Sequence, residues 1–229
     1  MTLKLTYGTY FVTGTDTDVG KTVATGFLAR ELERTLKCRV ATFKLVQTGC
    51  TSGSIDIALH RRIMGKVLTE DNAQGPGITA PLIYAFPASP HLAAELEHRS
   101  VDLDALAHPL ALLKAHYDIV LIEGAGGLMV PLTRELLTID YAAEQGWPVI
   151  FVTSGRLGSI NHTLLAWEAL ERRGMPLAAV VYNAFCGVET PDVIVSDTRD
   201  YLKDKLAKHH PEALWVELPK LDLGKPYGA

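Results

Sequence analysis

The chain has 229 residues, 48% of them hydrophobic, with a formal net charge of −4 and a pI near 6.1. That is ample for one sizeable α/β core, so a second domain is not required, and the acidic balance gives no reason to expect nucleic-acid binding. No apolar run approaches the ~18 residues of a membrane helix. Met1-Thr2-Leu3-Lys4-Leu5 is too short and too quickly interrupted for a signal peptide, and Cys38, Cys50 and Cys186 lie far apart with no Cys-x-x-Cys pair. A reduced, cytoplasmic, soluble enzyme is the expectation.

Tyr10-Phe11-Val12 reads as a buried strand. A polar loop follows, and Gly20-Lys21-Thr22 opens a segment of helical periodicity. Strand, glycine loop, Gly-Lys-Thr and helix is the order of a phosphate-binding loop. Glycines let successive N–H groups turn into one concavity, and the helix offers its positive end to an anion. Lys21 can reach terminal phosphates, and the Thr22 hydroxyl can ligate Mg²⁺. Five residues separate Gly14 from Gly20, one more than in the common loop.

Val23, Phe27, Leu28, Leu32 and Leu36 then mark an amphipathic helix of about four turns. Arg39 to Lys44 reads as the second strand. Lys44 stands at its carboxyl end, the edge where open parallel sheets bind ligands. Val46 to Gly49 reads as a polar turn and Ser52-Gly53-Ser54 as a loop. Ile55 to Ile63 reads as a helix in which Asp56, on the residues alone, suits the helix terminus. Asn72 to Gly77 reads as a loop. Ser89 and Pro90 suit N-cap and N1 of another helix, and Val101 begins one running through Leu113.

Asp118 to Ile122 is the near-continuous apolar run of a central parallel strand. It ends in Glu123-Gly124-Ala125-Gly126-Gly127, where a P-loop enzyme holds a carboxylate on the Mg²⁺ side. Thr138 or Asp140 is expected to cap the next helix and Gly146 to end it. Trp147 to Val152 reads as a strand. Ser154 to His162 reads as a polar loop entering a helix that stops at Gly174-Met175-Pro176, and that helix start is a candidate anion site. Leu177 to Tyr182 reads as a strand ending at Asn183, whose amide can pair with a base edge or simply make a turn. A helix near 192–207 and a short strand at Leu214–Val216 follow. The order predicts a single-domain α/β fold over 1–229, P-loop NTPase-like, with a mostly parallel sheet and helices on both faces.

Several of these motifs, in this order, resemble the dethiobiotin synthetase family of biotin synthesis. They are Val12 to Thr22, the Lys44 strand end with Thr48-Gly49, Ser89-Pro90-His91, Val120 to Gly127, Leu157-Gly158-Ser159-Ile160-Asn161-His162, and the strand ending in Asn183. They cover residues 8 to about 185, and the long loop spacing is that family's own. The resemblance implies ATP- and Mg²⁺-dependent closure of diaminopelargonic acid (7,8-diaminononanoate) with CO₂ to dethiobiotin. It implies a carbamate and then a carbamic-phosphoric anhydride, with release of ADP and phosphate. By matching position it implies nucleotide contacts at Asp18, Val19, Gly20, Lys21, Thr22, Val23, Asp56, Glu123, Gly126, Asn183 and Pro219, with Asn183 reading the adenine. It implies Mg²⁺ ligands Thr22, Asp56 and Glu123, and catalytic lysines Lys44 and Lys21. It implies substrate contacts at Thr48 and, across a homodimer interface, at Leu157, Gly158, Ser159 and Asn161. Leu45 stands where that family often has proline, Thr48 where it usually has serine, and Glu217-Leu218-Pro219-Lys220-Leu221 matches its adenine segment loosely.

Two other ATP-using classes share such a fold. Partitioning-type switch ATPases resemble Lys-Gly-Gly-x-Gly-Lys-Thr at the loop, and their extra lysine falls on Asp16, with the charge reversed. Cobyrinate-type amide ligases add a glutamine-hydrolysing domain, for which 229 residues leave no room.

Overall fold

The computed structural model describes residues 5–68, 77–185 and 189–222. Within them the chain runs β1 (Gly8–Gly14), α1 (Lys21–Leu36), β2 (Val40–Lys44), β3 (Gln47–Thr48), α2 (Ile55–Met64), β4 (Ile83–Tyr84) and α3 (Pro90–Leu96). A 3-10 turn (Asp104–Leu106) leads into α4 (Ala107–His116), β5 (Ile119–Glu123), α5 (Thr138–Glu144) and β6 (Val149–Ser154). The chain then continues through α6 (Ser159–Arg172), β7 (Leu177–Asn183), α7 (Asp192–His209) and β8 (Leu214–Glu217).

Six strands form one parallel sheet in the order β2-β5-β1-β6-β7-β8. Because all run the same way, Gly14, Lys44, Glu123, Ser154 and Asn183 come to one edge. Successive strand residues point to opposite faces. Tyr10, Val12, Ile119, Leu121, Ile150 and Val152 therefore pack with Leu28 and Leu32 of α1 on one side. Phe11, Phe43, Ile122 and Phe151 pack with Leu110 of α4, Ile139 of α5, Leu170 of α6 and Leu202 of α7 on the other. Strands buried on both faces read as continuous apolar runs, and the expected helix layers on both faces are present. Leu28 and Leu32 are fully buried, so truncating either to alanine costs about 2–5 kcal/mol.

Against α1 packs α2. At Gly26 an added Cβ would lie 3.0 Å from Ile63 Cδ1 and 3.2 Å from His60 Cα, so the absence of a side chain there sets how close α2 comes. The start of α2 is fixed as well. Ile57 N donates to Ser54 Oγ at 3.1 Å, and Ser54 Oγ donates to Gln47 Oε1 at 2.6 Å. Such an N-cap contributes about 1 kcal/mol.

The structure departs from the sequence expectation in local detail. Residues 46–49 are no mere turn: Gln47 and Thr48 form β3, paired in parallel with Ile83 and Tyr84 of β4, and two-residue strands carry too little alternation to be recognised. The helix expected from Val101 starts later, through the 3-10 turn, because Asp102 Oδ1 accepts from the Asp104 and Ala105 amides and caps the turn there. Ser89 and Pro90 do stand at N-cap and N1 of α3, yet Ser89 Oγ meets His91 Nδ1 at 3.1 Å. Neither Thr138 nor Asp140 caps α5. Thr138 donates to Val130 O at 2.7 Å, and Asp140 accepts from Arg173 Nε at 2.6 Å. Most of the expected loop at 72–77, and Cys186, lie outside the described residues; Cys38 and Cys50 are buried free thiols.

Candidate active site

The loop between β1 and α1 wraps the edge of the central strand. Asp18 holds a left-handed backbone at φ 59°, and Gly20 stands at φ 101° as the N-cap of α1. A Cβ on Gly20 would meet Asn183 Nδ2 at 2.5 Å, so only glycine serves there. Val19 is buried beneath the loop, and Val23 is half-buried on the first turn of α1. The Lys21 ammonium folds back to donate to Asp16 O at 2.6 Å. Burial pushes the Lys21 pKa down to about 8, against the pull of Glu123. Gly126 stands beside this loop: a Cβ there would lie 3.8 Å from Thr17 Oγ1.

Next to the loop, four elements deliver a charged cluster. Strand register sets Lys44 of β2 opposite Glu123 of β5. Lys44 Nζ lies 2.8 Å from Glu123 Oε1 and 2.5 Å from Asp56 Oδ2. The Thr22 hydroxyl lies 2.9 Å from Glu123 Oε1 and 3.1 Å from Asp56 Oδ1. Burial works against both ends of the Lys44–Glu123 pair. Even so, Glu123 and Asp56 hold the Lys44 pKa above the ordinary lysine value, and Lys44 and His60 hold Glu123 well below the ordinary carboxylate range. Both stay charged at neutral pH.

His60 is the member that pattern reading misses. It is fully buried, and its Nε2 lies 2.8 Å from Glu123 Oε2. The signal was present: Asp56 and His60 are i and i+4 on one helix and so share a face. That face could be assigned only once α2 was seen against α1.

The adenine-side candidates sit on the other flank. Asn183 ends β7 and is buried. Its Nδ2 donates to Val19 O at 2.9 Å and its Oδ1 accepts from Phe185 N at 2.9 Å. One N–H and one lone pair are left over, so Asn183 braces the phosphate loop whatever else it does. Leu218 N donates to Tyr182 O at 2.9 Å, which lays the exposed Pro219 alongside this strand end.

The substrate-side candidates are spread out. Thr48 is half-buried in β3. At the start of α6, Leu157 is 84% exposed, and Gly158 and Asn161 are exposed. Ser159 is buried, with Oγ 2.8 Å from Ser154 Oγ. A cavity of about 870 Å³ lies between the loop residues Gly14–Asp16, Met129 and the His162 and Leu165 side chains of α6; Lys44 is not in its wall.

Three oxygen donors therefore converge beside a phosphate loop: a hydroxyl and two carboxylates. Hard oxygens in this number suit Mg²⁺ completed by phosphate and water. No cluster of three His, Cys, Asp or Glu side chains able to hold a metal occurs among the described residues.

Comparison with known proteins assigns the family. A family model described as an AAA domain (AAA_26) matches residues 8–223. The ATP-dependent dethiobiotin synthetase BioD 2 of Pasteurella multocida is 46% identical over 206 residues, covering 90% of this chain and 94% of its own. The chain belongs to the dethiobiotin synthetase family. It is an enzyme of the ligase class. The BioD of Chlorobaculum tepidum is 45% identical over 212 residues, with 93% and 85% covered. Among solved structures, a plasmid partition protein of Borrelia burgdorferi bound to AMPPNP superposes with a TM-score of 0.56 at 13% identity, covering 98% of this chain and 93% of that one. That likeness establishes a shared fold and nothing finer. No helix among the described residues is long and apolar enough to cross a membrane.

Proposed function

We propose that this chain, residues 1–229 acting as one cytoplasmic catalytic domain, closes diaminopelargonic acid with CO₂ to dethiobiotin, the penultimate step of biotin synthesis, using ATP and Mg²⁺. The observation that carries the reading is the convergence of Thr22, Lys44, Asp56 and Glu123 beside the phosphate loop. It pairs metal-type oxygens with a permanent buried cation, in a chain of this family.

In the proposed sequence one substrate amine adds to CO₂ as a carbamate and loses a proton. A carbamate oxygen attacks the γ-phosphate and ADP departs. The second amine then attacks the carbamate carbon, phosphate leaves, and the cyclic urea forms. The backbone from Asp18 to Val23, with Gly126 alongside, cradles the phosphates, and Lys21 turns from Asp16 O toward them. Thr22, Asp56 and Glu123 hold Mg²⁺, which when bound neutralises phosphate charge. Lys44, held charged, stabilises the negative charge that moves between carbamate and γ-phosphate. Asn183 and Pro219 border the adenine. Thr48 touches the substrate. Leu157 to Asn161, offered from the second subunit of a homodimer, would receive the substrate carboxylate at the N-terminus of α6.

The test is phosphate release with MgATP and bicarbonate, with and without the diamine, with the product weighed by mass spectrometry. Diamine-dependent release, with a product one carbonyl heavier and ring-closed, is expected. Release indifferent to the diamine overturns the reading in favour of a switch ATPase.

A further inference from the structure

We propose that His60 is a positioning residue, which holds Glu123 by Oε2 so that Oε1 is presented to Thr22, Lys44 and the metal. The inference rests on the reading of Glu123 as a metal-side carboxylate.

The two oxygens of Glu123 have divided partners. Oε1 faces the Thr22 hydroxyl at 2.9 Å and the Lys44 ammonium at 2.8 Å, whereas Oε2 meets His60 Nε2 at 2.8 Å. The backbone of Glu123 is pinned between β1 and β2, opposite Val12 and Lys44. Only the side-chain torsions remain free, and a donor on one oxygen fixes them. His60 is wholly buried, and its Nε2 reaches the cluster through Glu123 Oε2.

The other ring nitrogen supports this role. Nδ1 is buried without a hydrogen-bond partner among the described residues. Leaving a buried polar atom unmet carries its full desolvation penalty. A side chain kept for packing alone would be better apolar. Among the described residues the directed contact of this imidazole is with Glu123. Because a charged carboxylate accepts, the network assigns the Nε2–H to that contact. Partners that orient a ligating group typically govern metal affinity by about 10–100-fold.

The experiment titrates Mg²⁺, with Mn²⁺ as the spectroscopic probe, into protein saturated with ADP and without other substrates. His60→Gln keeps an N–H near the Nε2 position. His60→Asn and His60→Leu do not. Metal affinity is expected to fall about 10–100-fold in the Asn and Leu variants and to stay within about threefold of the parent in the Gln variant. Metal-free ADP affinity is expected to stay within about threefold in all three, a split that a merely structural role would not produce. If the Leu variant does not fold, the Gln–Asn contrast carries the test. Unchanged metal affinity in the Asn variant, or equal loss in Gln and Asn, overturns the positioning role while leaving Glu123 as ligand. A parent protein whose ADP affinity ignores Mg²⁺ overturns both.

Discussion

The two halves of the site are built differently. On the phosphate side, Lys44, Glu123 and His60 are buried and mutually engaged, and Thr22 and Asp56 complete the cluster. On the side proposed for the substrate, the start of α6 projects an 84% exposed Leu157 and an exposed Asn161, with Met129 and Leu165 also uncovered nearby. One half is preorganised within a single chain. The other is an apolar face with a helix terminus in it. Charge chemistry needs fixed dipoles and no reorganisation, whereas gripping an apolar chain needs only surface that a second body can complete.

The largest effect comes from breaking the buried half. Lys44→Ala is expected to lower ring closure by about 10²–10³-fold while metal-free nucleotide affinity changes little. It also leaves Glu123 without its main countercharge, a loss of about 3–5 kcal/mol in urea unfolding. Turnover at parent level would remove Lys44 from the mechanism. On the open half, Leu157→Glu is expected to raise the KM for the diamine about tenfold, because it sets a carboxylate where a substrate carboxylate should arrive (about 1.4 kcal/mol). Its unfolding free energy should shift by less than about 0.5 kcal/mol, and sedimentation should show a smaller dimer fraction. A KM that ignores the new charge would detach α6 from the substrate.

Smaller changes sharpen the contrast. Asn183→Ala should weaken ATP, GTP and CTP together by about 1 kcal/mol, the worth of the lost brace on Val19, and should reduce any preference for ATP further. Equal affinities in the parent would leave Asn183 the brace alone. Gly26→Ala should lower stability by about 1 kcal/mol despite alanine's better helix propensity, since His60 Cα cannot yield. A gain in stability would mean that α2 is free to slide. Smallest is a proton effect. Lys21 has a pKa of about 8 in the free protein, below its unfolded value, so its neutral form is favoured between pH 8 and pH 10.5. Bound phosphate favours the ammonium. ATP affinity should therefore fall as pH rises through 8, with proton uptake on binding, measurable by calorimetry in buffers of different ionisation heat.

What the sequence revealed follows the same division. Strand, loop, Gly-Lys-Thr and helix are contiguous, and Glu123 and Lys44 end apolar runs, so local pattern reaches them. Asp56 is ambiguous on its own residues, and nothing local singles out its i+4 neighbour His60. Their direction depends on how α2 seats on Gly26, a contact between residues 34 positions apart in the case of His60. The brace from Asn183 to Val19 spans 164 positions and leaves no trace in spacing. The 3-10 turn and β3 were lost for another reason: they are too short to have a period.

The placement of β1 has a consequence for how the molecule is made. The phosphate loop follows β1 directly, yet among the described residues β1 pairs with β5 and β6, at Ile119–Glu123 and Val149–Val152, and β2 with β5, all far along the chain from the loop. A ribosome that has delivered the chain as far as α3 has delivered the whole nucleotide loop and neither of the strands that β1 pairs with. Parallel pairing over such separations is slow to nucleate. The loop is thus translated well before it becomes competent, and ligand can reward the nascent chain only after β5 and β6 have emerged.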